Sequence, residues 1–128
     1  MIPDLDEGGI YLVDLRFPDG GESSYRHYVV AMASTTDTFV PVPVYVFHSK
    51  VNKNGVTKNI DPVACLELTG SEYSFLDRAT VVDARAPLYI RLDMQSKWDS
   101  FQRCPAMSVD HLNHLRMRIM YANGIPAE

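Results

Sequence analysis

Residues 39–50 read FVPVPVYVFHSK, the most apolar run in the chain, and they end in the polar cluster His48, Ser49 and Lys50. In an extended chain, side chains alternate between two faces. Val40, Val42, Val44 and Val46 then share one face, and Pro41, Pro43, Tyr45 and Phe47 the other. Both faces are apolar, so the stretch reads as a strand buried for much of its length, with its end opening to solvent. Pro41 and Pro43 each lack an N–H. Residues two apart point their N–H groups the same way, so the first half of this strand can bond a neighbour fully on one side only. It is expected to begin at a sheet edge or seam.

The rest of the composition agrees with a small folded domain. The chain has 128 residues, enough for one domain with its own core, and residues 1–128 are read as a single domain. Hydrophobic residues make up 46% and charged residues 22%, the balance of a globular protein. The net charge of −4 argues against a protein that coats nucleic acid through a basic surface, without excluding a local basic groove. Cys65 and Cys104 fit neither a disulfide framework nor metal-ligand spacing, and two thiols suit a reducing cytoplasm. No 18-residue apolar run occurs, and the acidic start MIPDLDEGG lacks the features of a signal peptide, so no membrane partner is expected.

Strand patterns recur along most of the chain. They fall at 9–16 (GIYLVDLR), 25–33 (YRHYVVAMA), 62–68 (PVACLEL), 79–85 (ATVVDAR) and 88–94 (LYIRLDM). The stretch 17–24 (FPDGGESS) is a loop, and Asn54-Gly55 signals a small exposed ribbon or loop within 50–59. Residues 95–103 are ambiguous, with a short helix carrying Trp98 and Phe101 as one reading. The period changes only near the end. Ser108 is a good N-cap with Asp110 in the first turn, and Leu112, Leu115 and Ile119 repeat at helical spacing. Asn123-Gly124 and Pro126 stop that helix, which spans about 108–122. Five or six short strands followed by one helix predict a mainly β fold: a small, strongly curved antiparallel sheet or partly open barrel over about 9–94, with a C-terminal α-helix packed on it.

Several of these pieces, in this order, resemble the PemK/MazF (Kid-like) toxins of toxin–antitoxin modules. Gly9-Ile10-Tyr11-Leu12-Val13-Asp14-Leu15 is similar to the family's opening strand G-[DE]-[IV]-[WY]-L-V-x-L, without the acidic residue after the glycine. Gly20-Gly21-Glu22 matches a flexible loop. Arg26-His27-Tyr28-Val29-Val30 matches the following strand, with His27 where proline is usual. Val42-Pro43-Val44-Tyr45-Val46-Phe47-His48-Ser49 resembles V-x-V-[VI]-P-[IVL]-T-S, with His48 in place of threonine. Thr80-Val81-Val82-Asp83-Ala84-Arg85 resembles S/T-x-V-x-[CV]-x-Q. The resemblance implies an SH3-like barrel, a homodimer, and endoribonuclease activity on single-stranded RNA without metal or other cofactor. It also implies a small antitoxin as partner.

Metal-free RNA cleavage uses the 2′-OH as nucleophile on the adjacent phosphate. It needs a proton acceptor, a proton donor for the leaving oxygen, and cations or donors for the developing charge. Arg26 matches the family arginine, and its fork suits a phosphate. His48, at the end of the central strand, is the better-placed proton shuttle; His27 alternates away from Arg26, and a packed strand histidine is its plainer reading. Asp83 and Arg85 complete the catalytic candidates, although some family members carry Arg-x-Asp and the order here is reversed. The swap moves each charge by roughly 6–7 Å along a strand, and the plainer reading of the pair is a cross-strand ion pair. Glu22, His27, Ser49 and Thr80 are the substrate-binding candidates. His111 and His114 lie three apart on the expected helix, but no Glu or Cys at ligand spacing supports a metal site. Tyr25, Tyr28 and Tyr45 suit packing better than base stacking. Two rival readings remain: a catalytically inactive relative with the same barrel, binding protein or nucleic acid, and an unrelated β-barrel interaction module.

Overall fold

The computed structural model describes residues 4–16, 22–37, 39–51, 54–85, 87–91 and 102–124, with the backbone alone at 14–16 and 22–26. The described chain holds seven strands and one helix: β1 (Ile10–Arg16), β2 (Glu22–Ala31), β3 (Val42–Ser49), β4 (Cys65–Leu68), β5 (Thr80–Asp83), β6 (Leu88–Ile90), β7 (Gln102–Cys104) and α1 (Val109–Ala122). Every strand pair is antiparallel. Among the described residues the pairing does not close into a barrel. The chain divides into two compact units: residues 1–46 with 88–107, and residues 47–87 with 108–128. β3 runs through both.

In the first unit the strand order is β6-β3-β2-β1-β7. The alternation expected for β3 decides its packing. Val42, Val44 and Val46 join Leu5, Tyr11, Val13, Val29, Ala31 and Ile90 in one apolar cluster, each with 6% exposure or less. Burying a side chain of this size contributes roughly 1.5–3 kcal/mol. The proline argument also survives in a specific form. Val42 and Val44 pair with Ile90 and Leu88 of β6. Toward β2 the ladder ends at Pro43, whose carbonyl accepts the Met32 N–H at 3.0 Å but which has no N–H to return. Gly9 opens β1 because a Cβ there would meet the Tyr11 ring end and sit 2.9 Å from the Asp6 carbonyl oxygen. The Tyr11 hydroxyl in turn accepts the Asp6 N–H at 2.8 Å.

In the second unit β5 lies between β4 and the end of β3. The ribbon expected around Asn54-Gly55 is present as a bridge between Val51 and Thr57, with Gly55 at φ +78°. The strand expected over 62–68 starts only at Cys65, because Asp61 caps a turn: its Oδ1 accepts the Val63 N–H at 2.9 Å, and its carbonyl accepts the Cys65 N–H at 3.0 Å. The strand expected over 79–85 stops at Asp83 for a similar reason, described below. Helix α1 forms as its sequence signals require. The Ser108 hydroxyl accepts the His111 N–H at 3.2 Å, Leu112 and Leu115 are buried, and Gly124 takes φ +73° past the end. The helix expected near Trp98 and Phe101 lies outside the described residues, whereas Arg103 is in strand β7.

Candidate active site

The site candidates divide between the two units. Arg26 and His27 are on β2, where the register pairs them with Asp14 and Val13. His27 is half-buried, on the face of the sheet that carries the buried Val13 and Val29. The side chains of Arg26 and Glu22 lie outside the described residues.

The other candidates belong to the second unit, and pairing register sorts them onto two faces. Opposed residues share a face. Phe47, Val82 and Leu66 form one row, and Ser49, Thr80 and Leu68 the next row on the same side. This side is apolar and mostly buried. Thr80 is only 6% exposed, and its hydroxyl donates to the Arg78 carbonyl at 3.0 Å. The Ser49 hydroxyl accepts the Val51 N–H at 3.3 Å. Both hydroxyls thus have local structural partners on the covered side. The opposite face carries the row His48–Val81–Glu67 and, one step on, Asp83 beside Cys65. His48 and Glu67 are exposed on either side of the buried Val81.

Asp83 and Arg85 do meet, but through a turn rather than along or across strands. The strand ends at Asp83 and the chain turns through Ala84 and Arg85. Asp83 Oδ1 accepts both the Arg85 backbone N–H and its Nε–H at 2.9 Å, and Oδ2 accepts from Nη2 at 2.7 Å. The arginine fork is therefore spent on its own carboxylate. Asp61 stands 3.8 Å from Arg85 Nη1. The Arg85 side-chain hydrogen bonds hold the Asp83 carboxyl below the usual carboxylate range; partial burial opposes them, and the Arg85 N–H, its charge and the nearby His48 add to the lowering. Asp83 is ionised at neutral pH in this arrangement, so it can accept a proton or a hydrogen bond but has none to donate.

Glu67 on the exposed face, and its pairing with Lys50 of the polar cluster, escaped the sequence reading. Lys50 and Glu67 form an ion pair at 2.9 Å. The signal was present in PVACLEL, where Cys65 and Glu67 alternate with Leu66 and Leu68, but the partner on another strand was not legible. Elsewhere in the unit, His111 is held between Glu72 (Nε2 to Oε2, 3.1 Å) and Tyr73 (Nδ1 to the hydroxyl, 2.7 Å). Among the described residues no cluster of three or more His, Cys, Asp or Glu is arranged to hold a metal ion.

No protein-family model and no curated protein matches this chain. Its fold is nevertheless shared. A solved structure of MazE-MazF (Form-III) from Deinococcus radiodurans contains a chain that aligns with a TM-score of 0.63 at 14% identity, over 98% of this chain and 100% of that one. At that identity the likeness is one of fold: a mainly β, antiparallel architecture with one C-terminal helix. No described helix is long and apolar enough to cross a membrane.

Proposed function

We propose that this chain is the toxin-type member of a toxin–antitoxin pair and cleaves single-stranded RNA without a metal. The observation that carries the reading is the full-length likeness to a chain of the MazE-MazF structure. The exposed imidazole of His48 beside the Asp83–Arg85 pair supplies chemistry suited to it. In this reading the sheet is of the SH3-like, partly open type, the chain acts as one domain and as a homodimer, a small antitoxin protein is its partner, and it works in the cytoplasm.

The chemistry follows from the site as built. A substrate phosphate competes with Asp83 for the Arg85 fork. Taking that fork neutralises the phosphate and releases the carboxylate as proton acceptor for the 2′-OH. His48 then donates to the leaving 5′-oxygen, and Arg26 remains a candidate cation on the strength of its sequence match alone. Glu22, His27, Ser49 and Thr80 remain candidates for positioning the RNA, with the hydroxyls of Ser49 and Thr80 needing release from their local partners first.

The reversed Asp83/Arg85 order supports a second reading. A carboxylate and guanidinium locked on each other are both withheld from substrate, as in a non-catalytic barrel that binds RNA or protein. Cleavage of a long single-stranded RNA in EDTA separates the two. The nuclease reading expects cleavage that survives EDTA and falls by roughly 10²–10⁴ in His48→Ala, the usual contribution of a general acid, with Arg26→Ala and Arg85→Ala also impaired. Folded protein that binds RNA but leaves it intact would sink the nuclease and leave the binding module.

A further inference from the structure

Two Asn-Gly pairs lie in this chain, Asn54-Gly55 in the ribbon after β3 and Asn123-Gly124 at the end of α1. Sequence and exposure do not separate them. All four residues are exposed, Gly55 and Gly124 take φ +78° and +73°, and a Cβ at either glycine would meet nothing within 4 Å. Such a pair has one intrinsic reaction. The backbone nitrogen of the glycine attacks the asparagine Cγ, and no glycine side chain hinders the approach.

The fold does separate them. At the helix end the reacting groups are tied back. The Gly124 N–H, the nucleophile, donates to the Tyr121 carbonyl at 3.0 Å. The Asn123 Nδ2, the leaving group, donates to the Ile119 carbonyl at 2.7 Å. The Asn123 backbone N–H is shared between the Ile119 and Met120 carbonyls at 3.1 and 3.2 Å. Attack there first requires the helix end to open. In the ribbon the Gly55 N–H bonds to no described residue. The ties of the ribbon are at its base, where Val51 bridges Thr57 and the Lys58 N–H donates to the Lys50 carbonyl at 2.8 Å.

We propose that Asn54 is a self-modification site, which the folded chain converts to aspartate and isoaspartate while Asn123 is spared. The Gly55 nitrogen forms a bond to the Asn54 Cγ and the Cγ–Nδ2 bond breaks. Ammonia leaves with the proton displaced from the Gly55 nitrogen. The succinimide that remains takes up one water. Opening at its side-chain carbonyl leaves aspartate, and opening at its backbone carbonyl leaves isoaspartate, with the chain routed through the side chain. Either product makes the chain one charge more negative than its present −4. The new charge enters a ribbon that carries Lys50 and Lys58 and continues from the His48 end of β3. The inference does not depend on RNA cleavage.

The test ages the full chain in mildly alkaline buffer, with and without urea, and follows both pairs by mass spectrometry. A glutamate-specific protease, used in mild acid where the reaction is slow, cuts after Glu67 and Glu72 and puts the pairs on separate peptides. Fragmentation then assigns the amide-to-acid mass gain to a position. In the folded chain Asn54 should convert at least about tenfold faster than Asn123, because only Asn123 must wait for local opening. The gain at position 54 should vanish in Asn54→Gln. In urea, which removes the helix, the two asparagines should convert at similar rates. Similar rates in the folded chain overturn the proposal, as does an Asn54 that stays intact throughout the incubation. The same preference for Asn54 in urea overturns it in favour of neighbouring sequence, rather than the fold, as the cause.

Discussion

The two units of the molecule are held together by different means. The first is a sheet of β-branched and aliphatic side chains closed over one dry cluster, in which Leu5, Tyr11, Val29, Ala31, Val42 and Val44 have almost no contact with water. The second also buries leucines and valines, notably Leu68, Val82 and Leu115. Polar side-chain tethers hold its helix and turns: Tyr73 to His111 and Ser108, Arg118 to the Cys65 carbonyl, Arg85 to Asp83, whereas described polar ties of the first unit, Asp6 to Tyr11 and Arg103 to Asp4 and Asp6, gather at the start of β1. The difference follows from the elements joined. Strands that pair in register satisfy their own backbone, so an all-apolar interior costs nothing further. A helix set against short strands leaves cap and turn groups that side chains must satisfy.

Truncation of the apolar centre in either unit is expected to have the largest effect. Leu5 is 1% exposed and Leu115 0%. Leu5→Ala and Leu115→Ala should each cost about 2–5 kcal/mol, the range for large-to-small changes in a packed core, read from urea denaturation. The comparison breaks if Leu115→Ala costs under about 1 kcal/mol, because the second unit would then be held chiefly by its polar tethers.

A middle-sized effect isolates one tether. The Tyr73 hydroxyl accepts the Ser108 N–H at 3.1 Å and meets His111 Nδ1 at 2.7 Å, on a side chain only 5% exposed. Tyr73→Phe keeps the ring and removes the hydroxyl's bonds to Ser108 and His111 at the start of α1. The loss should be about 1–3 kcal/mol, the penalty for leaving buried polar groups unsatisfied. Amide exchange should quicken in the first turn of α1 and not in β1 or β2. Uniform quickening in all elements would show that the tether does not act locally.

The same contrast explains what the sequence could disclose. Period-two alternation in β3 marked Val42, Val44 and Val46 as core because burial of one face dictates residue type at every second position. Ser108 and Asn123-Gly124 bounded α1 because caps are read within four residues. β7 was missed: Gln102, Arg103 and Cys104 carry no apolar alternation, and they are a strand only because β1 offers them a partner edge. At the site, the Asp83-x-Arg85 spacing was visible, but it was read as strand geometry. The turn that folds the pair onto itself depends on where β5 stops, and strand ends are poorly marked. The ties between Lys50 and Glu67, and among Glu72, Tyr73 and His111, arise from strand register and helix docking, which no local pattern encodes.

The smallest effect bears most directly on the proposed chemistry. Asp83→Asn keeps an oxygen to accept the Arg85 backbone N–H, so the turn survives, but it removes the charge that binds the guanidinium. Because the Asp83 carboxyl is lowered in the folded chain, its contribution to stability is fully present above the ordinary carboxylate range, about pH 4. It is lost as pH falls through the lowered folded value. The Arg85 side chain is 53% exposed, so solvent screens the pair and the loss should be less than for either variant above. Denaturation midpoints of wild type and Asp83→Asn should therefore differ slightly and constantly at neutral pH, then converge in acid. A gap that persists unchanged at pH 2 would mean that the turn, rather than the charge, was disturbed. RNA cleavage by the same variant sharpens the functional alternatives. If Asp83 accepts the 2′-OH proton, Asp83→Asn loses activity although Arg85 is freed for phosphate. If the carboxylate only withholds the fork from substrate, the variant instead binds RNA more tightly than the wild type.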